Sequence, residues 1–557
     1  MSIRKTLILG SLGLGLVACG EEADTQAPAA GDDVVTTVGK GSGKEDAWDA
    51  RNDPARMARF VGTSLEYELS KLPKSGKAAQ TPWPDTYWPT YQDSTNARWL
   101  GKDEFSPLEK YDLAFNGWMP PAGFMDLKPY DANDCEAGFD KEYYTSLGPA
   151  ARYMSENKGN KKARDLVYRD GSETPVCDEK QGEAVESWWG LCHSWAPAAI
   201  LEPEPVHPVT KNGVTFYASD IKALIITVYD SSKSIILGGR CNTKDVERDE
   251  NGRIKDPACR DTNAGAFHVI MTNFLGIQKM AFLEDRTYNY EVWNQPVESF
   301  EVTQLEEITK ERAIELVGLT GDEYTYNTDA KKFAEVFATL TYITESHAMR
   351  EPALPMIDRY KRRDNYHYVI EMDAAGKIVG GEWLNGRGSH STWGISEQPD
   401  FLWTSVGPET SFSRANPHVS YAKVKELLNE SRAVPTNGNS DDKVFAREPG
   451  AEIPDNDPAG VTDTLTIDET VIGSAVKVQL DIKHTYIGDL KITLTNGAGE
   501  DIVLHANEGG SADDINTLVE VGDLVGVDLK GDWTLKVVDN ARIDTGRVLR
   551  WGFIVTE

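Results

Sequence analysis

The sequence predicts an α+β region followed by a separate all-β sandwich over residues 461–557. Three observations carry this. Residues 51–435 mix segments of helical apolar spacing with short β-branched runs bounded by turn residues. Residues 436–460 are polar, aperiodic and rich in Pro, Gly and Asp, which reads as a linker. Beyond them the apolar positions alternate with period two: Val476, Val478, Leu480 and Ile482, then Leu490, Ile492 and Leu494, then Trp533, Leu535 and Val537. "NGAGED" and "LKGDW" supply the turns between these short strands.

The N-terminal segment reads as an address. Arg4 and Lys5 precede an apolar run, Leu7–Val17, too short to span a bilayer, so residues 1–18 are expected to be a signal peptide. The run ends in "LVAC", which resembles a bacterial lipobox. That resemblance implies lipid attachment at Cys19 and, with Gly20 behind it, an outer-membrane or cell-surface destination. Residues 19–50 are small and polar and are expected to be a flexible tether. At 557 residues with 40% hydrophobic content, the rest is large enough for more than one core. A net charge of −31 argues against nucleic-acid partners, which require clustered Lys and Arg. Lipid is thus the expected membrane link.

Residues 51–170 are expected to be mostly helical and are a candidate pro-segment; "ARMARFVGTSLEYELSKL" has helical spacing, while "TPWPDTYWPTYQD" is an aromatic, Pro-rich loop. The catalytic region is placed at 171–435. In "ESWWGLCHSWAPAAI", Cys192 stands at a helix start, and Pro203 and Pro205 force an extended chain soon after. "SDIKALIITVYD" predicts a helix capped by Ser219 or Asp220, with Ile221, Leu224, Ile225 and Val228 on one face. "AFHVIMTNFLG" and "KMAFLED", apolar and β-branched, predict two antiparallel strands with His268 on the first and Asp285 ending the second.

Cysteine arithmetic bears on the function. With Cys19 assigned to lipid, five cysteines remain for an oxidising compartment. Cys241 and Cys259 flank a charged excursion and are expected to pair, Cys135 can pair with Cys177, and Cys192 is left as a thiol. A thiol at a helix N-terminus beside an imidazole is drawn toward thiolate, and a carboxylate holds the imidazole in its tautomer. Cys192, His268 and Asp285 are the expected nucleophile, base and orienting group, with Asn289 and Asn294 as rivals of Asp285. His193, adjacent in sequence to the cysteine, is a weaker base, because neighbouring helix positions diverge.

These residues carry a resemblance. "WWGLCHSWAPAAILEPEPVHPVTKNGVTFYASDIKALI", "AGAFHVIMTNFLG", "YVIEMDAAGKIVGGEWLN", "PDFLW" and above all the segment Val292, Trp293, Asn294, Gln295, Pro296, Val297 resemble the transglutaminase elicitor family of secreted, calcium-dependent enzymes. The resemblance implies a protein-glutamine γ-glutamyltransferase with a papain-like cysteine core, joining Gln side chains to Lys or other primary amines. It places the nucleophile on Cys192 and the base on His268, with proteins bearing exposed Gln and Lys as partners. The residues after Val297, "ESFEVTQ", are acidic where the family's elicitor segment is basic, which puts elicitor activity in doubt. Trp188, Trp189 and Trp195 are expected to keep water from a thioester or simply to pack the core, and Trp293 to be structural or to wall the amine channel. The alternatives are a papain-like cysteine protease or protein glutaminase using the same thiol, and a surface adhesin without catalysis.

For calcium, the loop between Cys241 and Cys259 offers hard oxygen ligands, Asp249 among them, without the spacing of an EF-hand. "GGEWLNGRGSHSTWG" adds Glu382 and His390 without a metal-naming spacing. "HTYIGDLKITLTNGAGEDIVL" and "GDWTLKVVDNARIDTGRVLRWGFIV" resemble the P domain of proprotein convertases, which implies a jelly roll and candidate calcium ligands Asp489, Asp539 and Asp544.

Overall fold

The computed structural model describes residues 51–131, 138–167, 186–241, 246–249, 254–256, 259, 262–286, 290–384, 395–408, 416–432, 442–510 and 512–556. The chain forms two compact units. One comprises the described residues up to Glu204 with Thr210–Ala348 and Lys361–Val424; the other comprises Pro205–Val209, Met349–Tyr360 and the chain from Lys425 onward. The described residues of 51–170 belong to the first unit, with most of those of 171–435.

The first unit is built on an eight-stranded antiparallel sheet. Its strands are β1 (Ser75–Lys77), then, after a hairpin of β2 (Val209–Lys211) and β3 (Val214–Phe216), β4 (Ser232–Gly238), β5 (Phe282–Asp285), β6 (Asn294–Ile308), β7 (Lys332–Ile343), β8 (Lys361–Met372), β9 (Ile378–Trp383) and β10 (Phe401–Pro408). The order is β4-β10-β5-β6-β7-β8-β9, and β1 adds to β6. The helices before and against it are α1 (Ala55–Phe60), α2 (Pro107–Phe115), α3 (Lys141–Ser146), α4 (Pro149–Lys158), α5 (Asn160–Val167), α6 (Cys192–Leu201), α7 (Ala218–Tyr229) and α8 (Ala264–Met271). Among its described residues, the region expected to be mostly helical contains five short helices, the first three set apart by long connections and the last three nearly continuous. In "ARMARFVGTSLEYELSKL" only Ala55–Phe60 is α-helical, because Gly62 turns left-handed (φ 75°) and ends it.

Period-two alternation assigns each layer to one sheet face. Phe282, Val297 and Leu402 pack in one core with α8, whereas Leu283, Phe401 and Trp403 pack on the opposite face with Cys192 of α6. The expectation of a strand at "AFHVIMTNFLG" is overturned. Ala264–Met271 is an α-helix, capped by Asn263, whose side chain accepts from the N–H groups of Gly265 and Ala266, and it continues into a π-helical turn over Thr272–Gln278. All eight residues of α8 are buried, and a helix apolar all round has the same composition as a buried strand. The helix lies tight on the sheet at Gly265, where an added Cβ would stand 2.2 Å from the Gly380 carbonyl oxygen. The second expected strand is present as β5.

The second unit contains two antiparallel sheets, β11-β19-β14-β17 and β13-β18-β15-β16, with β12 on β19. Their strands are β11 (Asp442–Arg447), β12 (Ala451–Ile453), β13 (Val461–Ile467), β14 (Ala475–His484), β15 (Leu490–Asn496), β16 (Asp501–Ala506), β17 (Ile515–Glu520), β18 (Gly531–Asp539) and β19 (Gly546–Thr556). Val478, Leu480, Ile482, Leu490, Ile492, Leu494, Trp533, Leu535 and Val537 all enter one core, as their alternation predicts. The expected linker is shorter than read. Asp442–Arg447 and Ala451–Ile453 pair with β19, because polar edge strands need only backbone partners and carry a weak alternation signal.

Candidate functional site

Cys192 opens α6. Leu191 before it is non-helical, its N–H donates to the Tyr87 carbonyl, and its carbonyl accepts from Ser194 and Trp195. The first turn therefore lays Cys192 against the sheet at the positive end of the helix. It is 1% exposed and packed with Trp188, Leu283, Val292, Phe401 and Trp403. Asn294 Nδ2 donates to the Cys192 sulfur at 3.4 Å, and the Val292 carbonyl oxygen lies 3.8 Å from it. The VWNQPV segment is therefore the strand entry facing the cysteine. Within it, Gln295 donates to Glu345 (2.7 Å), Pro296 stands opposite Leu283, Val297 enters the α8-side core, and Trp293 packs edge-on against Tyr87 (5.7 Å).

Asp285 pairs in register with Asn294, so the two share the cysteine's sheet face. Its Oδ1 accepts the Trp293 N–H at 2.9 Å. Burial, with the nearby Asp400 carboxylate, raises the Asp285 pKa well above the usual carboxylate range. Asp400 in turn accepts the Cys241 N–H.

His268 is not brought to this site. It lies on α8, across the sheet, with Nδ1 2.8 Å from the Tyr368 hydroxyl. The imidazole lines a separate cavity of about 240 Å³ with Leu69, Leu72, Val302 and Met372. Burial depresses its pKa from 6.5 to about 3, so it is neutral at physiological pH. The expected Cys–His–Asp order misplaced it because a helix, unlike a strand neighbouring β5, carries it to the other layer. His193 Nε2 meets Asp230 at 2.9 Å, beside Lys158. Asn289 and His390 lie outside the described residues, and Glu382 is buried on β9.

A second correction concerns the thiol. Cys192 is disulfide-bonded, not free. Its partner lies outside the described residues, as do Cys19, Cys135 and Cys177. Cys241 and Cys259 are joined as expected. Of the tryptophans, Trp188 and Trp189 wall the cysteine, while Trp195 is wholly buried and donates to the Trp83 carbonyl.

Most of the loop that carries Asp249 lies outside the described residues. Asp539 bonds His484 (3.3 Å) and Asp544 accepts from Thr485, both near Asp489. Among the described residues no group of three or more His, Cys, Asp or Glu side chains could hold a metal ion. Sequence reasoning named Asn294 only as an orienting rival and did not mark Trp403 individually; the signal for both was their place in the VWNQPV and PDFLW segments.

The transglutaminase elicitor family matches residues 53–434, and the proprotein convertase P-domain matches residues 473–555. The GP42 transglutaminase of Phytophthora sojae is 31% identical, covering 70% of this chain and 99% of its own, with a TM-score of 0.50. Calcium-dependent proteases of Nostoc sp. and Trichormus variabilis are 35% and 34% identical over 153 and 152 residues, which is 26% of this chain and 22% of theirs. The chain thus spans less than a quarter of the length of those curated relatives. With the first unit matched almost throughout and its motif set against the cysteine that opens α6, the chain belongs to the transglutaminase elicitor family.

Proposed function

We propose that the protein is a protein-glutamine γ-glutamyltransferase whose nucleophile is Cys192. The observation that carries this is the seating of Cys192, at a helix start with Asn294 of VWNQPV donating to its sulfur, in a chain 31% identical to a transglutaminase over nearly all of that enzyme. Released from its disulfide, Cys192 loses its proton and adds to the γ-carboxamide carbon of a substrate glutamine. The nitrogen, having taken up a proton, leaves as ammonia, and a thioester remains. A lysine amine attacks the thioester, forms the isopeptide bond and regenerates the thiol. Helix N–H groups at Cys192 suit the oxyanion, and Trp188 and Trp189 limit water. Asp285, on the same face, anchors the Trp293 backbone and so positions Asn294. His268 has no part in these steps.

The core is read as papain-like, with a helix-borne cysteine against an antiparallel sheet, and the two-sheet unit as a jelly roll that supports folding or attachment. Calcium dependence is part of the proposal, supported by the match of part of the chain to calcium-dependent proteases. The described residues do not fit a calcium site, and no step is routed through the ion. No helix among the described residues is long and apolar enough to cross a membrane; the proposed location is the outer membrane or cell surface, through lipid on Cys19. The partners are proteins with exposed Gln and Lys. The test is incorporation of a labelled primary amine into a glutamine-bearing protein by reduced protein, with calcium or a chelator, against Cys192→Ala. Incorporation dependent on Cys192 supports the reading, whereas peptide cleavage or deamidation without incorporation overturns it in favour of a protease or glutaminase.

A further inference from the structure

Buried polar atoms without partners are few in folded proteins, because leaving a buried donor or acceptor unpaired is costly. Among the described residues, the indole N–H groups of Trp403 and Trp189, the side-chain oxygen of Asn294 and Asp285 Oδ2, in or beside the cluster that holds Cys192, are buried with no hydrogen-bond partner. Trp403 and Trp189 belong to the apolar cluster that packs on Cys192, and Trp403 is 4% exposed. Trp403 is fixed on the sheet by its cross-strand neighbours Leu283 and Ile236. Asn294 is held by the donation of its Nδ2 to the sulfur, which leaves Oδ1 one amide width from whatever becomes bonded there.

The two kinds of orphan are complementary. An indole nitrogen only donates, and an amide oxygen only accepts. A group that satisfies both needs an acceptor and an N–H donor on one carbon, which describes a primary carboxamide. A carboxylate offers nothing to Asn294 Oδ1, and an ammonium offers nothing to the indoles. We infer that Trp403 and Asn294 read the carboxamide of the substrate glutamine, the Trp403 N–H donating to its oxygen and Asn294 Oδ1 accepting from its NH₂ group; this rests on the transferase reading above. As the sulfur–carbon bond forms, the C=O π pair moves to the oxygen beside the Trp403 N–H. As the carbon–nitrogen bond breaks, the nitrogen carries off the proton the thiol gave up and leaves as ammonia, one of its N–H groups on Asn294. Glutamine is thereby selected over glutamate, whose side chain lacks the donor.

The test uses the full reduced protein with a glutamine peptide and the matching glutamate γ-methyl ester, which keeps the carbonyl and lacks the NH₂. Replacing Trp403 with benzothienylalanine removes the N–H and keeps the ring shape. It is expected to lower kcat about 100-fold on both substrates with little change in KM, as loss of one oxyanion donor does. Asn294→Ala is expected to lower the amide-to-ester ratio of kcat/KM about 10-fold or more, an effect that poor packing cannot produce because both substrates meet the same fold. The iodoacetamide alkylation rate of Cys192 and the Tm report that each variant has folded. An active wild type with kcat untouched by the Trp403 replacement, or an amide-to-ester ratio untouched by Asn294→Ala, overturns this assignment alone. A wild type that transfers neither substrate, with Cys192 alkylated normally, overturns the transferase reading with it.

Discussion

Replacing His268 with Gln separates a structural imidazole from a catalytic one. In the folded chain its pKa falls from 6.5 to about 3 because α8 buries it, and its Nδ1 meets the Tyr368 hydroxyl. Below pH 6.5 the unfolded chain takes up a proton at this ring that the folded chain refuses. The contribution is therefore fully present above pH 6.5 and is lost as pH falls toward 3. From 6.5 to about 3, at roughly 1.4 kcal/mol per pH unit, the loss is about 5 kcal/mol. His268→Gln keeps an acceptor for the Tyr368 hydroxyl and removes the titration. Urea unfolding at a series of pH values should show the variant with a flatter acid limb, by up to that amount, and amine incorporation at pH 7.5 should keep its kcat. A variant with wild-type acid stability and no turnover would refute the placement of His268 away from the thiol.

Unreduced protein should take up no iodoacetamide at Cys192, and treatment with dithiothreitol should expose it, as peptide mass mapping reads directly, because the sulfur is already bonded. Gly265→Ala should destabilise the first unit by about 1–3 kcal/mol or more, measured by chemical denaturation, since the new methyl meets the Gly380 backbone and not a flexible side chain. The double change of Cys241 and Cys259 to Ser should cost about 3 kcal/mol through the closed loop it opens, their sequence separation being 18. Asp93→Asn should flatten stability between about pH 4 and 6. Burial raises this carboxyl to about 6, so the folded chain holds a proton the unfolded chain has lost, and stability falls as pH rises through that window.

The alternation in "AVKVQLDI" and "LKITL" needed no tertiary information, because a half-buried strand writes its two faces into successive residues. The helix at "SDIKALIITVY" was legible at period 3.6, but not its start or its burial: it begins at Ala218 behind Tyr217, so Ser219 and Asp220 lie inside the first turn and neither is its N-cap, and it is buried all round. The Cys241–Cys259 bond followed from the charged excursion between them. "AFHVIM" was not legible, since a helix buried on all sides and a buried strand look alike in composition. That ambiguity misplaced His268 by a whole layer. The residues 442–453 escaped notice as strands because edge pairing with β19 is made by backbone groups. By itself the sequence determined which residue is the nucleophile candidate, through local chemistry: a cysteine after "WWGL" at a helix start. Only the tertiary structure decided its company. Asn294 and Trp403 lie about a hundred and two hundred residues away in the chain, and only the pairing of β5, β6 and β10 under α6 sets them on its face.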